Sequence, residues 1–144
     1  VANVRDDCLL LGERLIEQEE EHLGRMLIAN GLRHDNSKFH GIEWAYLHSD
    51  VKESNPDLFL VAMHQHNLTN LHHPEAWPGG IEDMDRLHLA EMVTDWHSRS
   101  SEFGSDLLEW VKESATKRFR FATTGRVYKD IKSFVDLLHE EKFK

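Results

Sequence analysis

Apolar positions recur along this chain at spacings of three, four and seven, the period of helices buried on one side, and nowhere alternate as a half-buried strand would. Cys8, Leu11, Leu15, His22 and Met26 make one such stripe, which predicts a single long helix over 6–30 stopped by Gly31. On that phase His22 faces inward. A second helix over 37–49 takes Ser37 as its cap, and a third starts at Asn55-Pro56, where Asn caps and Pro suits the first turn. In the third, Phe59, Ala62 or Met63, and His66 share the inward side. Pro74 and the Pro78-Gly79-Gly80 run make 74–80 a loop. A fourth helix over 81–100 sets Met84, His88, Glu91 and Asp95 on one face, with Leu89, Met92, Val93 and Trp96 on the adjoining apolar face. Amphipathic helices over 105–116 and 126–141 follow, the last turning Val127, Ile131, Phe134, Val135 and Leu138 to the core. The pattern predicts an all-α bundle of about six helices, and 144 residues suit a single domain over 1–144.

Charge narrows the partners. Twenty-six acidic against 17 basic side chains give a formal charge of −9, which opposes stable wrapping of a nucleic-acid backbone. The one cysteine, Cys8, excludes an internal disulfide framework and a thiolate zinc site. No apolar run reaches membrane-spanning length and no signal-peptide pattern opens the chain, so the expectation is a soluble cytoplasmic protein without membrane contact. Homo-oligomerisation stays open.

Histidine changes the picture. There are 11, and His64, His66, His72 and His73 fall within ten residues. Three places concentrate the chemistry: His34-Asp35 in the sequence HDNSK, the run from His66 to His73, and the helical face of Glu91 and Asp95. Imidazoles with one or two carboxylates suit transition ions such as zinc, iron, manganese, nickel or cobalt better than calcium. Simpler roles compete at each place. An inward His22 can be a hydrogen-bonded core residue, His34-Asp35 can be a capped turn, and only one of His72 and His73 need bind metal. Glu91 can pair within its helix or hold a ligand histidine from behind. His64 is a reserve ligand, and His40, His48, His88, His97 and His139 read as surface or structural residues.

The order His22, His34-Asp35, Asp95 resembles the H…HD…D signature of the HD-domain metal-dependent phosphohydrolases. HDNSK is also similar to the HDxGK element of the HD-GYP cyclic-dinucleotide phosphodiesterases. The blocks HDNSKF, HxxxNxHHPEAW and EMVTDW resemble an uncharacterised family of phage and bacterial genomes. The resemblance implies an HD-like helical domain that holds one or two transition ions on His22, His34, Asp35, His66, His72, His73 and Asp95. It further implies hydrolysis of a phosphoester in a small nucleotide or cyclic dinucleotide by metal-activated water. Asp35, Glu91 and Lys38 would be the catalytic residues, Lys38 donating to the phosphate or to the leaving oxygen. Two other classes remain beside it: a binuclear-iron oxygenase of HD type, and a non-catalytic interaction protein stabilised by metal.

Overall fold

A computed structural model describes residues 4–34, 49–103 and 106–139, all in helices, turns and short connections with no strand among them. The chain divides into two compact units: residues 1–34 join 84–144, and 35–83 form the second. The helix predicted over 37–49 lies outside the described residues except for its last position.

The first unit opens with a hairpin in place of the single helix predicted over 6–30. Helix α1 (Val4–Glu17) ends in a turn at Gln18 to Glu20, where Glu19 takes the left-handed φ of 65°, and α2 (Glu21–Leu32) runs back. Glycines set the approach of the two helices. A Cβ on Gly24 would lie 2.4 Å from the Gly12 carbonyl oxygen, and one on Gly31 would lie 2.6 Å from Cys8 Cβ. The helices therefore meet backbone to backbone, which Gly12, Gly24 and Gly31 permit and a larger residue blocks. This turn re-phases the stripe: Gly24, Leu27 and Gly31 are the buried positions of α2, while His22 and Met26 are exposed.

After the second unit the chain re-enters at α5 (Arg86–Phe103), with α3 (Ser49–Ser54) and α4 (Pro56–Thr69) left behind in that unit. Helix α5 starts five residues later than the sequence predicts, because the Asp85 carboxylate captures the His88 backbone N–H at 2.9 Å and caps the helix there. It packs on α1 and α2 and on α8 (Arg126–His139), burying Leu89, Met92 and Val93 with Cys8, Leu11 and Leu15. Between α5 and α8 come α6 (Leu107–Trp110), a π-helical turn (Val111–Ala115) and α7 (Thr116–Phe119). Trp96 stands edge-on to Trp110 at 5.0 Å and stacks on Phe119, so these aromatics serve packing. In α8 the apolar stripe read from the sequence is the buried one: Val127, Ile131, Phe134, Val135 and Leu138.

One polar cluster ties three elements of this unit. Arg86 donates to both Glu20 carboxylate oxygens, at 2.8 and 2.7 Å, and to Asp130 at 2.6 Å, and its guanidinium lies 4.6 Å from the Phe134 ring centroid. Those hydrogen bonds hold the Glu20 carboxyl below its ordinary value of 4.5, against the opposing effect of burial. A carboxyl whose folded pKa is lowered contributes stability above its unfolded pKa and loses it as pH falls through the folded one. Arg86→Met is therefore expected to destabilise the protein by about 2 kcal/mol near neutrality, a figure reduced for the partial exposure of the pair. It should also flatten the acid limb below pH 4.5. Urea midpoints measured at pH 7 and pH 3.5 check both; an equal mutant deficit at the two pH values contradicts the linkage.

The second unit is built on α3 and α4. Asn55 caps α4 by accepting from the Leu58 backbone N–H at 3.4 Å, with Pro56 in the first turn, as the sequence predicts. Two 3-10 turns, Pro74–Ala76 and Gly80–Asp83, occupy the predicted loop and run beyond it. They are fixed by Trp77 Nε1 donating to the Leu71 carbonyl at 2.8 Å and by the Gly79 N–H donating to Asp83 at 2.6 Å. Among the described residues no helix is long and apolar enough to cross a membrane.

Candidate metal centres

His34 lies two residues beyond the end of α2, in a turn where its N–H donates to the Gly31 carbonyl. The spacing of four along α5 puts Glu91 and Asp95 on one face of that helix. The close hairpin brings His34 to this face: Nδ1 is 3.0 Å from Glu91 Oε2, and Nε2 is 3.9 Å from Asp95 Oδ1. All three side chains are about nine-tenths buried. With Glu91 accepting from Nδ1–H, the lone pair of the ring sits on Nε2, on the side of Asp95. A separation of 3.9 Å is too long for a hydrogen bond, yet it falls within twice the ligand bond of about 2.1 Å, so both atoms can reach one ion. An imidazole nitrogen beside a carboxylate, with a second carboxylate behind the ring, is a donor set that fits a divalent transition ion. Glu91 thus holds the histidine from behind, one of the roles its position on the helix allowed. Arg99 Nε, 3.6 Å from Asp95 Oδ1, is a neighbour the sequence did not single out.

Beneath this face, Thr94 donates its hydroxyl to the Glu91 carbonyl at 2.6 Å, leaving its oxygen to accept from the Cys8 thiol at 3.2 Å. Burial pushes the Cys8 thiol up to about 12, so it stays protonated and serves as that donor.

The second unit gathers three imidazoles. His66 is buried on α4, as its inward phase predicts, and His72 and His73 follow the end of that helix. His66 Nε2 and His73 Nε2 are 3.0 Å apart, and one nitrogen from each of the three rings falls within a sphere of ligand-sized spacing, all within 4.8 Å of one another. Asn70 caps α4 and orients His66, its amide donating both to the His66 carbonyl at 2.9 Å and to Nδ1 at 3.1 Å. In that arrangement the His66 proton sits on Nε2 and is shared with His73. An ion on Nε2 requires the other tautomer, with Asn70 turning its carbonyl oxygen toward Nδ1–H. Asn70 is the Asn of the HxxxNxHH block, a signal present in the sequence whose role only the geometry supplies. His64, on the same helix, is exposed.

His22 does not join these sets. It is exposed near the start of α2, about 15 Å along the axis from the end of the helix that carries His34. The hairpin turn is the cause, since it rotates the buried stripe of α2 away from position 22. Asp35 and Lys38 lie outside the described residues.

A model of the family described as "Family of unknown function (DUF5662)" matches residues 2–142, so nearly the whole chain, including both candidate centres, falls within one family pattern. No curated protein and no solved structure matches the chain.

Proposed function

We propose that this chain, which belongs to the DUF5662 family, is a cytoplasmic metal-dependent phosphohydrolase acting on a small nucleotide or cyclic dinucleotide. The observation that carries this reading is the meeting of His34 Nε2 with Asp95 Oδ1 at 3.9 Å while Glu91 holds Nδ1. Histidine and aspartate 61 positions apart in the chain, the second and last members of the H…HD…D order, thereby face each other. His34 and Asp95 would hold one ion with Asp35, whose share rests on the resemblance alone. His66, His72 and His73 supply a second set within their own unit. His22 leaves the ligand set.

A divalent transition ion so held would lower the pKa of water and neutralise charge gathering on phosphoryl oxygens. The chain's own residues do the rest. Glu91 fixes the tautomer and direction of His34, and Arg99 tempers the charge of Asp95. Lys38, by the resemblance, donates to a phosphoryl or leaving oxygen.

The test is metal analysis of the purified protein coupled to a phosphate-release screen over nucleoside mono- and triphosphates and cyclic dinucleotides. The expected result is bound Fe, Mn, Zn, Ni or Co with turnover of at least one of these esters, abolished by chelation and restored by the ion. Metal without any ester turnover overturns the hydrolase reading; oxygen consumption in its place would mark an oxygenase.

A further inference from the structure

A third group of metal-capable side chains stands in the first unit, apart from the His34 face. Asp7 on α1, His97 on α5 and His139, the last residue of α8, converge where the three helices meet. His97 is two residues beyond Asp95 and so lies about 200° round α5 from it, on the other side of the helix. Asp7 Oδ2 is 2.7 Å from His97 Nδ1, and both side chains are largely buried. The His97 and His139 ring centroids are 5.2 Å apart, with their planes inclined at 51°.

We propose that His97 and His139, with Asp7 behind His97, form a binding site for a borderline divalent transition ion such as Zn2+. Two observations support it. The Asp7 carboxylate accepts from Nδ1–H and so leaves the His97 lone pair on Nε2, the carboxylate–histidine arrangement that orients metal ligands. The ring spacing fits as well: an ion about 2.0 Å from each ligand nitrogen, with tetrahedral angles, sets two imidazole centroids roughly 5 Å apart. His139 is exposed, so the ion has an approach from solvent and water can complete its shell. Such an ion would clasp α8 to α5.

The site is independent of phosphoester chemistry, and its test counts ions. Equilibrium dialysis of the full chain against Zn2+ is expected to give one equivalent fewer for His139→Gln than for the wild type. Asp7→Asn should retain that equivalent with affinity lowered about 10- to 100-fold. His139 is exposed, so its replacement leaves the fold intact, which matching circular dichroism melts without metal will verify. Equal Zn2+ stoichiometry and affinity in wild type and His139→Gln overturn the site and leave the ring pair as a stacking contact. A protein that hydrolyses no phosphoester yet loses one Zn2+ on this substitution sustains the site and overturns only the phosphohydrolase reading.

Discussion

If the proposed hydrolase reading holds, His34→Ala and Asp95→Asn are each expected to cost one equivalent of bound transition metal and about a thousandfold of phosphoester turnover. The expectation follows from how little redundancy surrounds the pair. His34 Nε2 and Asp95 Oδ1 face each other at 3.9 Å from opposite elements, and neither side chain exposes more than a tenth of its surface. Removing the imidazole deletes a donor and leaves Glu91 buried without its ring. Asp95→Asn keeps shape and volume but removes the negative charge that favours a divalent ion. Glu91→Gln is milder, because the amide oxygen still accepts from Nδ1–H; a loss of about 10- to 100-fold in metal affinity is expected. Metal content by plasma spectrometry and single-substrate kinetics measure these effects together. Wild-type metal content in both His34→Ala and Asp95→Asn would remove this face from the metal chemistry.

The largest stability effect is expected at Gly24. In an exposed helix Gly→Ala gains up to about 1 kcal/mol. Here the sign reverses, because the new Cβ meets the Gly12 carbonyl oxygen at 2.4 Å and Ile16 Cγ1 at 2.8 Å, and a backbone oxygen cannot swing aside. Gly24→Ala should therefore lose about 3 kcal/mol, the upper part of the range for overpacking. Gly125→Ala serves as the control, since its nearest neighbour would be the Ala122 oxygen at 3.6 Å, an ordinary contact. Urea unfolding of both variants gives the comparison. A Gly24→Ala protein as stable as the wild type would mean that α1 and α2 do not touch through their backbones. Because His34 rides on the end of α2, the same substitution should also loosen its contact with Glu91.

How much of this could be read in advance varies by residue, and the reasons are physical. Local patterns were reliable where one helix faces one core: the stripe of α8, the Asn55-Pro56 start of α4, the inward phase of His66, and the shared face of Glu91 and Asp95. The turn at Gln18 to Glu20 was not legible. Glutamates and glutamine are good helix formers, neither Gly nor Pro marks the reversal, and an accidental stripe through His22 and Met26 bridges it. What decides the reversal is the contact of Gly12 with Gly24 across the hairpin, a tertiary event that overrides propensity. His22 was misplaced for the same reason. The pairing of His34 with Glu91 spans 57 positions; residue order joins His34 only to Asp95, and the helix position of Glu91 allows it to hold a histidine without saying which. Asp7, His97 and His139 come from three helices and share no spacing, so nothing in the sequence joined them.

The buried Cys8 thiol gives the molecule an internal clock. Burial holds its proton, and the thiol donates to the hydroxyl of Thr94, whose own hydrogen bond goes to the Glu91 carbonyl. A thiol reagent needs the thiolate and a path to it, so modification in the native state can proceed only as fast as the core opens around Cys8, where α1 meets α2 and α5. The rate of that chemistry reads how often this part of the core opens, and Thr94, one wall of it, stands on the turn from which Glu91 and Asp95 project.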